Sequence, residues 1–173
     1  TLRGREARLV AESTAAATLN FPKDLTDEEV RRSETTAFLS RRVRVSEEVR
    51  MLRDQTAQKR GEIAEAESRK KNFASELEVA QRQFNVIDGL KRNGAASNLE
   101  VLESQSRLQR LMSQIAEADA AIPRLRAAVA ESESRIGEVM ARFRAEASAE
   151  LTQVRGDLEK TGFELSTTTD RLD

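Results

Sequence analysis

The five residues Asn93-Gly94-Ala95-Ala96-Ser97 separate two very long stretches in which core-type positions recur every three or four residues. Such spacing, sustained over five or more heptads, is typical of a coiled coil. A loop this short can only return the second helix along the first, as an antiparallel hairpin. Before the loop the core-type positions are Val45, Val49, Leu52, Thr56, Lys59, Ile63, Ala66, Lys70, Phe73, Leu77, Ala80, Phe84 and Ile87. After the loop they are Leu108, Leu111, Ile115, Ala118, Ile122, Leu125, Val129, Ser132, Ile136, Val139 and Phe143.

The composition is that of long helices rather than of a globular core. Of the 173 residues, 34% are charged and 3% are aromatic, with seven Gly and two Pro. A seam between two helices is narrow, so few large side chains are needed to fill it. The sequence therefore predicts an all-α fold, a long antiparallel coiled-coil helical hairpin with one arm split into a short first helix and a long second helix.

Turn signals divide the chain into five segments. Pro22 disfavours a helical conformation at Phe21, and Thr26 with Glu29 forms the sequence pattern of a capping box. We expect the first helix to end at about Leu19 and the third to weaken beyond about Thr161. The predicted segments are a first helix over 1–20, a break over 21–26, a second helix over 27–92, the hairpin tip over 93–97 and a third helix over 98–173.

The tip contains residues that end one helix and begin the next. Gly94 suits the left-handed conformation that ends many helices. Ser97 and Glu100 form a second capping-box pattern, which predicts that the third helix starts at Asn98. Within that helix, Pro123 removes one backbone hydrogen bond, and we expect a kink there rather than a break.

The lengths of the arms predict that both chain ends meet at one end of the hairpin. Leu172 lies 78 residues after Gly94, and Ala16 lies 78 residues before it. At 1.5 Å per residue this distance corresponds to a rod of roughly 115 Å. Because the chain also begins at Thr1 without Met, we expect a piece of a larger protein, inserted into another domain.

The residue types present argue against several functions. The chain has no Cys and no His, which removes the commonest nucleophile, general base and transition-metal ligands. The sequence therefore predicts no enzyme activity, no cofactor and no metal site. The 29 basic and 30 acidic residues are interspersed, without the basic stripe and stacking aromatics that favour nucleic acid. No apolar run approaches the ~20 residues that span a bilayer.

Four segments carry a family resemblance: Leu2-Arg3-Gly4-Arg5-Glu6-Ala7-Arg8-Leu9, Phe21-Pro22 through Glu29, Leu90-Lys91-Arg92-Asn93-Gly94-Ala95-Ala96-Ser97, and Thr169-Asp170-Arg171-Leu172-Asp173. In these segments and in its layout the chain resembles the periplasmic hairpin of membrane fusion proteins, the adaptor subunits of Gram-negative secretion and efflux pumps. The resemblance is strongest to HlyD-like adaptors of type I secretion systems.

The resemblance implies a role, partners and a location. In this family the hairpin is inserted between two halves of a lipoyl-like β-domain, in a parent protein anchored in the inner membrane. The tip docks on a TolC-like outer-membrane channel, while other parts of the parent engage an inner-membrane ABC transporter. The adaptors assemble as homo-oligomeric rings, which contain six adaptor subunits in related pumps. The implied function is protein export, in which this periplasmic hairpin bridges the inner-membrane ABC transporter to the outer-membrane channel.

The resemblance also implies candidate contact residues. The family's tip motif is Arg, then Leu four residues on, then Ser seven beyond that. Leu90 and Ser97 fit this spacing, but Val86 stands at the Arg position, which leaves Arg82 and Arg92 as candidates to supply the charge. Small side chains in the loop would allow close backbone approach. The predicted tip contacts are Arg82, Leu90, Arg92, Gly94, Ala95, Ala96 and Ser97.

Each of these residues also has a purely structural interpretation, since Leu90 would close the seam and Ser97 would cap a helix in any hairpin. A different class of function, a coiled-coil scaffold or dimerisation arm unrelated to transport, requires only the heptads and the hairpin. A membrane span upstream and β-rich flanks in the parent protein would favour the adaptor. Continued heptads would favour the scaffold.

Overall fold

A computed structural model describes the backbone of residues 1–169 and the side chains of residues 1–167. Its helices are α1 (Leu2–Ser13), α2 (Glu28–Arg92) and α3 (Asn98–Thr169), and this part of the chain contains no strand. The long helices α2 and α3 form a hairpin, and 88% of the described residues are helical. The predicted all-α helical hairpin is therefore confirmed. Residues 170–173, which include the end of the predicted third helix, lie outside the described residues.

The heptad pattern of the sequence marks the seam of this hairpin. Every predicted core-type position, from Val45 to Ile87 and from Leu108 to Phe143, is buried or half-buried. Polar side chains at these seam positions are either ion-paired or at least half-buried. Lys70 Nζ lies 2.5 Å from Asp119 Oδ1 on α3, and Thr56 is only 4% exposed. Polar residues are thus accommodated in the seam, where they favour one register of the two helices.

The chain divides into two compact units. The first contains Thr1–Arg53 together with the chain from Ser134 onward, and so includes α1 and the adjoining parts of α2 and α3. The second contains Asp54–Glu133, and so includes the tip and the parts of α2 and α3 that lead to it.

In the first unit, α1 lies beside α2. A Cβ added at Gly4 would come within 2.7 Å of Val30 Cγ1, Arg8 Nε donates to a carboxylate oxygen of α2 at 2.7 Å, and Glu12 Oε2 lies 3.3 Å from Arg41 Nη1. These contacts advance in the same direction along both helices, so α1 and α2 run parallel. The two helices are separate, as predicted. The expectation that they form one split arm, end to end, was wrong, because α1 lies alongside α2.

Apolar packing and a network of charges hold α1 in this position. Leu9 is fully buried in a cluster with Ala147 and Val154 of α3. The buried carboxylate of Glu12 pairs with Arg8 at 3.0 Å. On the other side of the network, Arg41 pairs with Glu150 of α3 at 3.0 Å. One continuous set of ion pairs therefore links all three helices of this unit.

Two groups of this network have shifted pKa values. The hydrogen bond from Arg41 is the main cause that lowers the pKa of Glu150 below its ordinary value. Burial disfavours the charge of Arg8, but its hydrogen bonds to Glu34 and Glu12 outweigh this effect and raise its pKa. Both shifts favour the charged forms on which the network depends.

The first helix ends earlier than predicted, at Ser13 instead of about Leu19. Ala15 adopts the left-handed conformation, with φ of 54°. Its N–H donates to Glu12 O at 3.2 Å, and the N–H of Ala16 donates to Ala11 O at 2.8 Å. This is the Schellman pattern, which usually falls on glycine. An alanine-rich segment ends its helix here because the chain must return along α1 to begin α2.

The ends of the longer helices also differ from prediction. Thr26 was expected to cap α2, but Asp27 does so, because its Oδ1 accepts from the N–H groups of Glu29 at 3.0 Å and Val30 at 3.2 Å. The third helix continues past Thr161 to Thr169. It also passes through Pro123 without interruption, and the kink expected there stays a prediction.

Candidate partner-docking site at the hairpin tip

The tip, residues 93–97, begins with a capped helix end. Gly94 has φ of +75°, the left-handed conformation expected from the sequence. Its N–H donates to Lys91 O at 3.0 Å, and the N–H of Ala95 donates to Leu90 O at 2.8 Å. These two bonds form a Schellman motif, which satisfies the carbonyl groups of Lys91 and Leu90 in the last turn of α2. The turn is therefore defined by backbone bonds as well as by the glycine.

The tip ends with the predicted capping box at the start of α3. Ser97 Oγ accepts from the N–H of Glu100 at 3.2 Å, while Glu100 Oε2 accepts from the N–H of Ser97 at 2.7 Å. The hydroxyl of Ser97 also donates to Glu100 Oε2 at 3.0 Å. The backbone N–H of Ser97 is the main cause that lowers the pKa of Glu100. Ser97 thus positions the loop, and its hydroxyl is already engaged.

The structure places the predicted tip residues on an accessible surface. Leu90 is 43% exposed, so it does not close the seam completely. Gly94, Ala95 and Ser97 are exposed, whereas Ala96 is half-buried. A small, largely accessible surface therefore surrounds the turn, next to one leucine.

The two predicted arginines already have partners on their own helix. Arg82 forms an i,i+4 ion pair with Glu78, and Arg92 forms one with Asp88. All four residues lie on α2, and the guanidinium groups are mostly exposed. Exposed pairs of this kind stabilise a helix by only ~0.5 kcal/mol. The structure therefore presents neither arginine as an isolated positive charge.

Exposed apolar side chains near the tip were missed by the sequence reasoning. Val86 is 63% exposed, Leu99 64% and Leu102 61%. The exposure of the two leucines could have been predicted from the phase of the heptad pattern in α3. Val101 is buried and Leu108 half-buried on the seam side of α3, so positions 99 and 102 fall outside the seam. Val86, at the family's Arg position, is likewise an exposed apolar side chain.

Within the described residues, no helix combines the length and apolar character that crossing a membrane requires. The same part of the chain contains no group of three or more His, Cys, Asp or Glu side chains that could hold a metal ion.

Comparison with known proteins gives both a fold and a family. No curated protein matches the chain significantly. Among solved structures, the chain is similar to the soluble domain of LipC, a membrane fusion protein of a type I secretion system. The TM-score is 0.89 at 22% identity, over 99% of this chain and 84% of that one. At this identity the likeness shows the fold.

The family comparison covers nearly the whole chain. The family described as AprE, long alpha-helical hairpin, matches residues 1–171. The resemblance to the hairpin of HlyD-like membrane fusion proteins, inferred from the sequence, is thereby confirmed at the level of the family and its fold. The protein belongs to the AprE long α-helical hairpin family.

Proposed function

We propose that this chain is the periplasmic hairpin of a membrane fusion protein in a type I secretion system. The observation that carries the proposal is the family match over residues 1–171. The likeness of the fold to the soluble domain of LipC, a protein of that kind, supports it. The role is one of binding and bridging rather than catalysis.

In this proposal the tip docks on a TolC-like outer-membrane channel. Gly94 and Ala95 permit close backbone approach, and Leu90 supplies apolar contact area. Ser97 contributes by fixing the turn through its cap. Arg82 and Arg92 would contact the channel only if their present ion pairs with Glu78 and Asp88 were replaced by pairs with the channel.

Other parts of the parent protein, outside this chain, would engage an inner-membrane ABC transporter. A homo-oligomeric ring of adaptors would present several tips to the channel at once. Each contact could then be weak, because linked contacts raise the overall affinity by ~10²–10⁴. Export would proceed through the conduit that the bridging proteins enclose.

Site-specific photocrosslinking in the native cells tests the docking. A photoreactive residue replaces Ala95, whose side chain is exposed at the tip, and in the matched control it replaces Ala64, which is exposed on α2. We expect an adduct with an outer-membrane channel from position 95 and none from position 64. Adducts only between copies of this protein, at both positions, would instead favour the coiled-coil scaffold.

A further inference from the structure

A second surface of interest lies in the first unit, where α1 ends. Beyond the left-handed turn at Ala15, an open cleft of about 280 Å³ continues between α2 and α3. Phe38, Val45 and Val49 of α2 line its floor together with Met140 and Phe143 of α3. The cleft begins where α1 stops covering these two helices.

The way α1 covers the neighbouring surface indicates what kind of group suits such a cleft. Leu9 packs against apolar residues of α3. Glu12 approaches Arg41 of α2 at 3.3 Å, and Glu6 accepts from Arg155 of α3 at 3.0 Å. α1 thus packs apolar side chains against α3 and brings carboxylates to arginines of α2 and α3, while its own Arg8 and Arg5 pair with Glu34 and Glu150.

The arginines of the cleft lack such carboxylates. Arg42, Arg53 and Arg144 line it, and none of the three forms an ion pair with another described residue. Arg144 Nε donates only to the carbonyl of Met140, at 3.4 Å, and Arg42 donates to the carbonyl of Ala17. Glu12 also borders the cleft, but both of its oxygens already face arginines. Positive charge around the cleft is therefore left without acidic partners.

We propose that this cleft binds an acidic amphipathic helix of another protein chain. The helix would pack apolar side chains against Val45, Met140 and Phe143, which keep exposed surface, and direct carboxylates at the three arginines. Arg42 and Arg53 are eleven positions apart on α2, about 16 Å along the axis. The partner helix carries carboxylates at a matching separation. This proposal does not depend on tip docking.

The dimensions favour a helix over a small molecule. Pockets for small ligands have volumes of roughly 300–1,000 Å³ and bury most of the surface of their ligand. This cleft, of about 280 Å³, is open along one side and would leave much of a small ligand exposed. From Phe38 to Arg53 its floor spans about 22 Å of α2, which suits four turns of a helix.

A synthetic peptide probes the cleft directly. The probe is a fluorescent amphipathic peptide of about twenty residues, long enough to be helical in water, with Leu and Ala on one face and Glu at the matching separation. A second peptide replaces each Glu by Lys. Fluorescence anisotropy with the 173-residue chain measures binding. We expect the acidic peptide to bind and the basic peptide not to.

Charge reversal locates the binding. Arg53→Glu and Arg144→Glu should each weaken binding of the acidic peptide by about tenfold, because each replaces a charge-assisted contact by repulsion. The control is Arg124→Glu on α3, in the second unit, since Arg124 Nε also donates only to a carbonyl one turn back, at 3.3 Å. It should leave binding unchanged. All three side chains are exposed, and circular dichroism checks the folding of each variant.

Three results would overturn the proposal. In the first the acidic peptide fails to bind, in the second the basic peptide binds equally well, and in the third Arg124→Glu weakens binding of the acidic peptide as much as Arg53→Glu and Arg144→Glu do. Binding of dodecanoate in place of the peptide would assign the cleft to a small anionic amphiphile. Self-association of the chain that Arg53→Glu abolishes would assign it to contacts between copies.

Discussion

Ala15 marks the end of α1, although alanine intrinsically favours the helical conformation. Alanine is the strongest helix former, yet here it takes the left-handed conformation, where the Cβ of an L-residue crowds its backbone at a cost of roughly 1–2 kcal/mol. The hydroxyl groups of Ser13 and Thr14 bond to Val10 O, at 3.1 and 2.8 Å, and help to satisfy the last turn. The strain is local, so a single substitution tests it.

Replacing Ala15 by Gly should stabilise the chain by about 1 kcal/mol, because glycine adopts this conformation without crowding. For a chain of this size the expected rise in Tm is roughly 2–4 °C, measured by thermal unfolding. In contrast, Ala64→Gly, at an exposed position inside α2, should cost about 1 kcal/mol. Equal destabilisation by both substitutions would contradict the left-handed cap.

At the scale of elements, local patterns predicted the long helices better than the short one. The seam and the capping box at Ser97 depend on residues a few positions apart, and both are present in the structure. The placement of α1 depends instead on distant contacts, such as Gly4 against Val30. Neither residue carries a periodic signal for that contact, so the sequence could not reveal that α1 lies parallel to α2.

Gly4→Ala tests the approach of α1 to α2. Its Cβ would meet Val30 Cγ1 at 2.7 Å and Glu34 Cγ at 3.3 Å, and valine has little rotamer freedom in a helix with which to move aside. We expect a loss of about 1–3 kcal/mol in the free energy of unfolding, measured by urea denaturation.

The matched control for this substitution is Gly61→Ala, inside α2, where a Cβ has no neighbour within 4 Å. It should stabilise the chain by about 0.5–1 kcal/mol, since alanine is the better helix former. A neutral or stabilising effect of Gly4→Ala would mean that α1 and α2 are too far apart for a Cβ at position 4 to meet Val30 at 2.7 Å.

At the scale of the whole molecule, the candidate site was predicted in part. Gly94 and Ser97 were found because caps are local signals. The pairing of Arg82 with Glu78 follows i,i+4 spacing and was available in the sequence. The exposure of Leu99 and Leu102 required the heptad phase to be extended to the first turns of α3. What the tip binds does not follow from any of these local patterns.

The charge network predicts how the stability of the chain depends on pH. Because the pKa of Glu150 is lowered in the folded chain, the unfolded chain binds its proton at a higher pH. The stabilisation from this group is therefore present above its ordinary value of 4.5 and is lost as the pH falls through the lower, folded value. Glu150→Gln removes this contribution.

The difference in free energy of unfolding between the native chain and Glu150→Gln should be widest near neutral pH and should narrow below about pH 4.5. Urea denaturation at a series of pH values measures it. Glu159→Gln is the control, since Glu159 forms no ion pair with another described residue, and it should change the free energy of unfolding little. A difference that stays constant or widens in acid would refute the role of Glu150.

The caps at both ends of the tip have a thermodynamic consequence for any partner. With the Schellman bonds at Gly94 and the capping box at Ser97 formed within the chain, the backbone of the loop is ordered before an encounter takes place. Fixing a residue costs roughly 1–2 kcal/mol in conformational entropy, and this cost is met during folding rather than on association. The rate of docking should then be set by diffusion and orientation of the two surfaces, without a rearrangement of the loop.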